Sequence, residues 1–392
     1  MKEISQFFTL FWIIYFPTCI AYNDLPGFSS IDELMTCILI LYTISKKGSH
    51  CINNEPWREF GLFVKILFFY VIYSLLLQVN VTASVTYDLV QQIRPWSVIY
   101  CTWILNPKFS VRQKKWMLGV MLLTVITFLF YHPEMTDFSI ENRNAPFGQL
   151  AICTSMAWYL FTPETIDNRH VAVLIAIIGI LGFKFKYYGE FGAWMFMLYY
   201  MKDKFRIGSR QLYLQIALLI IIVLILGWER FDAYYIEGAN DDELARPKLN
   251  RAAWNILLDY FPFGAGFGTF ATAASAVYYS PLYYKYGLSQ VWGLGNYGEI
   301  AFHCDSFTAT FAQIGFVGIF FFIMFWKRRL LQFHQIKDMR YYKVGMMAFF
   351  CVAIEWTGDS SFLSGKGMGY MMLMGICLNA NRNIVRDIYS KV

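Results

Sequence analysis

Two side chains, His303 and Arg251, have the types and settings that could do chemistry. His303 stands just before an apolar run, in His303-Cys304-Asp305-Ser306-Phe307. A neutral imidazole in that position can act as a general base on a hydroxyl. An interfacial or capping histidine is the plainer role, and Asp305 and Ser306 beside it are helix-cap types as well. Arg251 lies in Asn250-Arg251-Ala252-Ala253-Trp254, at the first turn of an expected helix. Its planar fork suits a phosphate or diphosphate, and the alternative is an arginine facing solvent or lipid headgroups. Gly264, Gly266 and Gly268 follow closely. Their N–H groups could face an anion, but the run matches no phosphate-loop or dinucleotide pattern, so a tight turn is the expected role.

Other cations are placed oddly for so apolar a chain. Arg94 falls midway along an apolar span, with Asp88, Gln91 and Gln92 one to two turns away. Such an arginine marks a functional site or a structural bridge, here to Asp88. Lys184 and Lys186 separate two short apolar segments, 171–183 and 191–201. Either the turn between them dips below the membrane surface into a wet cavity, or both lysines snorkel to the headgroups. Arg143 is the only basic residue of the segment 132–146. Trp254, Tyr278, Tyr279, Tyr283, Tyr284, Tyr286, Trp292 and Tyr297 cluster in the same long loop as Arg251. Their rings can stack on sugars or form an interfacial belt.

The elements that must position these groups are membrane helices. The 392 residues are 57% hydrophobic and only 15% charged, too little charge for a soluble chain of this length. Hydropathy gives an all-α polytopic membrane protein with about twelve spans. They are 5–22, 30–45, 60–79, 84–105, 116–131, 147–161, 170–183, 190–201, 211–227, 304–325, 341–356 and 362–378. The first run is expected to stay uncleaved, as a span rather than a signal peptide. With the amino terminus inside, the inner segments carry 21 Lys and Arg, and the short outer ones only Arg143, Lys184, Lys186 and Lys366. That asymmetry places both termini in the cytoplasm and the loop 228–303 outside. The expected organisation is nine spans over 1–227, the loop, then three spans over 304–392. The loop should contain a helix over 250–260, capped by Asn250. Its apolar face of Ala253, Ile256, Leu257 and Tyr260 is expected to lie along the membrane surface. The eight cysteines show no metal spacing and read as small apolar packing residues. The net charge of +6 is explained by sidedness and implies no nucleic acid. Arg143, Lys184, Lys186, Arg251 and His303 would share the outer face. Cations kept there against the sidedness rule call for an anionic ligand, and a lipid-linked pyrophosphate fits.

The segment 250–270, N-R-A-A-W-N-I-L-L-D-Y-F-P-F-G-A-G-F-G-T-F, resembles a signature of the bacterial O-antigen ligase and polymerase superfamily. So does H-C-D-S-F-T-A-T-F-A-Q-I-G-F-V-G-I, from His303, and more loosely N-R-N-A-P-F-G-Q-L-A, from Asn142. The likeness covers roughly residues 130–330. It implies a lipid-dependent glycosyltransferase that needs no metal or other cofactor and sits in the bacterial inner membrane. The donor and acceptor would be undecaprenyl-diphosphate-linked glycans, with a chain-length regulator protein as a further partner. By position, Arg251 would bind the diphosphate and His303 would activate or orient the acceptor. Arg143, Lys184, Lys186, Arg94, Trp254 and Asp305 would complete the substrate site. The sequence departs from the pattern in three places. No Ser-Arg pair opens the helix near Tyr188-Gly189-Glu190, Cys304 stands for an asparagine, and Gln313 lies where an acid is common. Those departures favour a repeat-unit polymerase over a ligase that passes finished glycan to lipid A core or protein. A flippase is the third expectation, and the absence of an internal repeat in the sequence speaks against it.

Overall fold

The computed structural model describes residues 2–24, 30–47, 54–131, 145–182, 184–205, 244–298, 300–358, 363 and 365–380. Arg143, the expected span 211–227 and most of the carboxy-terminal tail lie outside them. The first eight helices are α1 (Lys2–Asp24), α2 (Ile31–Ser45), α3 (Asn54–Leu77), α4 (Thr82–Leu105), α5 (Val111–Tyr131), α6 (Ala145–Phe161), α7 (Ile166–Ile178) and α8 (Phe185–Tyr199). After the undescribed stretch come α9 (Ala245–Asp259) and three short helices, α10 (Ala273–Val277), α11 (Pro281–Lys285) and α12 (Ile300–His303). The chain then forms α13 (Ser306–Gln335), α14 (Met339–Gly358) and α15 (Met368–Leu378). No strand occurs among the described residues.

Among the described residues, three helices are long and apolar enough to cross a membrane: Asn54–Leu77, Val111–Phe130 and Ser306–Gln335. Their outward side chains suit lipid. Phe68, Leu76, Leu123, Phe130 and Phe320 are all more than half exposed, a surface that water would penalise. Several expected spans are instead short helices. α7, α8 and α15 hold 13, 15 and 11 residues, so they reach only about 17–23 Å against a hydrocarbon core of about 30 Å. α15 is buried on every side. Small residues let it in: a Cβ on Gly375 would lie 2.7 Å from Thr102 Cβ of α4, and one on Gly369 would lie 2.9 Å from Cys153 Sγ of α6. The Asn379 amide closes the end by donating to the Thr102 carbonyl at 3.2 Å. Cys101, Cys153, Cys351 and Cys377 are all buried in this packing.

Among the described residues, buried ion pairs tie helices together at three places. Arg94, 1% exposed, pairs with Asp32 and Glu33 and so joins α4 to α2. The bridge expected between Arg94 and Asp88 does not form. Asp88 accepts the Gly268 N–H at 2.7 Å instead. Lys186 pairs with Glu355 between α8 and α14, and Arg329 with Glu59 between α13 and α3.

The loop enters the helical layer at the glycine run. α13 is interrupted at Gly315, where φ is +57°, and residues 262–268 fill the interruption. The Ala265 and Gly266 N–H groups donate to the Ala312 and Gln313 carbonyls at 2.8 and 3.0 Å, and Val317 donates to the Pro262 carbonyl at 3.2 Å. The Phe267 N–H donates to Ser74 Oγ of α3 at 2.8 Å. The Ser84 hydroxyl of α4 donates to the Gly268 carbonyl at 2.7 Å. Irregular backbone is tolerated at such a place because every polar group finds a partner inside protein. Gly264, Gly266 and Gly268 have φ of +80°, +87° and +71°, and a Cβ on any of them would fall within 2.6 Å of a neighbouring atom. Their N–H groups and those between them are committed to protein acceptors, so the run is a packing device rather than an anion nest.

Candidate functional site

α9 starts five residues before the expected Asn250 cap, with Leu244 at its N-cap. Arg251 is therefore in the middle of the helix, not in its first turn. Leu249, Ala252, Ala253 and Ile256 are buried in a cluster with Ala309 and Ala312 of α13. This corrects the expected membrane-lying face: its apolar residues pack on protein. Arg251, Trp254 and Leu258 are exposed, with Trp254 at 54%. At 100° per residue Arg251 points nearly opposite the buried face, while Arg246 stands on its flank.

His303 ends α12 at the start of the α13 entry. It is 1% exposed. Tyr283 presents to it at 5.0 Å between ring centroids and 87° between planes, and Tyr279 at 6.1 Å and 84°. These are edge-to-face arrangements. Tyr283 is itself fixed: its hydroxyl accepts the Ala271 N–H at 3.2 Å and bonds Ser275 Oγ at 3.1 Å. Tyr279 donates to the Leu294 carbonyl at 2.8 Å. Burial pushes the Tyr279 phenol up to about 12, so both hydroxyls work as neutral groups.

Burial also lowers the His303 pKa from its usual value, and a hydrogen bond to the Gly295 backbone opposes that shift. Nδ1 is buried with no hydrogen-bond partner. Nδ1 can then serve as the lone-pair end of a neutral ring. Ser306 Oγ, three residues on, is buried and without a partner as well.

Asp305 lies between them and has three tasks. It caps α13 by accepting the Thr308 N–H at 3.0 Å. Its own N–H donates to the Ala271 carbonyl at 3.0 Å. Its Oδ2 faces Arg246 Nε at 3.6 Å. The geometry thus gathers His303, Asp305, Ser306, Tyr279, Tyr283 and Arg246. It offers a proton acceptor at Nδ1, two residues along the chain from a carboxylate that faces Arg246.

The other candidates are arranged differently. Arg251 and Trp254 stand on the outer side of α9. Lys184 is the half-buried N-cap residue of α8, and Lys186 reaches Glu355. Arg94 is held by Asp32 and Glu33, and Arg143 lies outside the described residues. Arg246 is the residue the sequence reading missed. Its signal was the earlier helix start, since the whole stretch 245–259 keeps helical spacing of buried positions 249, 252, 253 and 256. Among the described residues no three His, Cys, Asp or Glu side chains come together to hold a metal ion. Comparison with protein-family models, curated proteins and solved structures finds no match.

Proposed function

We propose that the protein is a lipid-linked oligosaccharide polymerase, lengthening glycan carried on a polyprenyl diphosphate at the His303 side of the membrane. The observation that carries this reading is a buried, neutral His303 whose Nδ1 has no protein partner, two residues from a carboxylate that engages Arg246. A buried acceptor atom without a partner is costly, and an incoming hydroxyl would satisfy it. The resemblance of residues 130–330 to the O-antigen polymerase and ligase superfamily supplies the substrate class.

In this reading the acceptor sugar hydroxyl attacks the anomeric carbon of the donor. Its proton passes to His303 Nδ1. The bond from that carbon to the diphosphate oxygen breaks, and the electron pair leaves on the diphosphate. Arg246 offsets the developing charge, while Asp305 keeps Arg246 in register with His303. Tyr279, the half-buried ring over His303, is the group that moves aside to admit the hydroxyl. Arg251 and Trp254 form an outer rim that meets the diphosphate or sugar on approach.

The test is elongation of radiolabelled lipid-linked repeats by purified protein. His303→Ala should slow elongation at least about a hundredfold, the lower end of what a general base contributes. Arg246→Ala should weaken it more than Arg251→Ala. Long chains formed at the normal rate by both His303→Ala and Arg246→Ala would refute these roles.

A further inference from the structure

A second feature lies away from His303. α3, α4 and α13 enclose a groove of about 260 Å³. Ile66, Trp96, Phe321, Phe322 and Phe325 give it apolar walls. Its two ends differ. Beside the helix break, Gln92, Thr310 and Gln313 line it. Those groups are neutral and engaged: Gln313 donates to the Phe270 carbonyl at 3.1 Å, and Trp356 donates to Thr310 Oγ1 at 3.2 Å. The other end is lined by Glu59, Arg328 and Arg329. Arg329 is fully buried, with its guanidinium 4.4 Å from the Trp103 ring. It pairs with Glu59, and its Nε and Nη1 have no hydrogen-bond partner. Arg328 is exposed at the mouth.

We infer that this groove holds one acyl chain of an anionic glycerophospholipid, with the headgroup phosphate on Arg328 beneath the field of Arg329. Charge decides the direction. Both cations that line the groove are at one end, and Glu59 offsets only one of them. Length decides the class. From Gly318 to Arg328 α13 rises about 15 Å, half of a hydrocarbon core of about 30 Å. That is one leaflet's depth of chain. Above Gly318 the walls turn polar. The bare Gly318 also leaves room for Tyr70, whose hydroxyl would lie 2.8 Å from a Cβ there. The groove opens between two of the helices long enough to cross a membrane, where lipid chains are the neighbouring phase. The inference does not depend on the proposed reaction.

The probe is a phosphatidylglycerol with a photoactivatable group in its chain, added to the full-length protein in detergent and followed by peptide mapping. Labelling should fall on the segments 62–70 and 320–325, and phosphatidylcholine should compete poorly. Arg328→Gln, an exposed change that leaves the packing intact, should lower labelling about fivefold, the share of one basic residue near an anionic lipid. Ile66→Trp should fill the groove and abolish labelling. Labelling elsewhere overturns the site. Equal competition by phosphatidylcholine together with unchanged labelling of Arg328→Gln overturns the headgroup assignment. Displacement by a polyprenyl phosphate, unaffected by Arg328→Gln, assigns the groove to that chain and overturns the proposal. The readout is lipid binding, so either claim can fail while glycan elongation stands.

Discussion

Gly264→Ala should damage this protein far more than Gly287→Ala, although both glycines have positive φ. Gly264 has φ +80° and Gly287 φ +68°. An L side chain in that region is disfavoured by about 1–2 kcal/mol, and both variants carry that cost. The surroundings separate them. A Cβ on Gly264 would meet Gly315 N at 2.5 Å and the Gln313 carbonyl carbon and oxygen at 2.7 Å, whereas at Gly287 nothing lies within 4 Å. All three close atoms are backbone, so no side chain can rotate away. Overpacking of that kind adds about 1–3 kcal/mol. The totals are then about 2–5 kcal/mol for Gly264→Ala and about 1–2 kcal/mol for Gly287→Ala. The buried Cys101, Cys153, Cys351 and Cys377 give the assay. Their reaction with a thiol-sensitive dye on heating, in detergent and at one scan rate, reports opening of the helical layer. Gly264→Ala should open several degrees lower than Gly287→Ala. Equal shifts would mean that the 262–268 segment is not wedged into the break of α13.

Arg94→Met should destabilise by about 3–5 kcal/mol, because Asp32 and Glu33 are left as buried charges. Adding Asp32→Asn and Glu33→Gln should recover most of that loss in the same thermal assay. Elongation should fall on acidification with its inflection below the ordinary histidine pKa of about 6.5, since burial lowers the His303 value. The same shift stabilises the fold fully above about 6.5, and that contribution is lost as pH falls through the lowered value. His303→Ala should remove that inflection from the rate profile. Asp305→Asn keeps a cap-competent side chain and gives up only the pairing with the one-third-exposed Arg246, so it should shift stability by less than about 1 kcal/mol. Asp305→Ala also removes the bond to the Thr308 N–H and should lose about 1 kcal/mol more.

Hydropathy located the helices well because local composition is enough to do so. α3, α4, α5 and α6 fall within a few residues of the expected 60–79, 84–105, 116–131 and 147–161. Hydropathy cannot tell lipid-facing apolar residues from buried ones. Met368–Leu378 is the example: its mean composition fits a bilayer, yet protein covers all of it. The partners of Arg94 were equally out of reach. Asp88 lies six residues away in sequence, while Asp32 and Glu33 lie more than 60 away, and helix-to-helix pairing leaves no local trace.

At the site, residue type was legible and direction was not. His303 was visible as a candidate base and Asp305 as a cap, and the cap forms at the start of α13. Which arginine accompanies them depends on the register of α9, set by where that helix begins. A start at Asn250 makes Arg251 a first-turn residue. The observed start at Ala245 puts Arg246 in the first turn beside Asp305 and turns Arg251 outward. No strong cap marks the true start, since Leu244 offers no side-chain acceptor, so the capping signal at Asn250 was the stronger one locally. Packing of Leu249, Ala252 and Ile256 against α13 outweighs it. The same packing carries the glycine run into the break of α13, so helix register, the buried loop and the His303 pocket form one coupled arrangement.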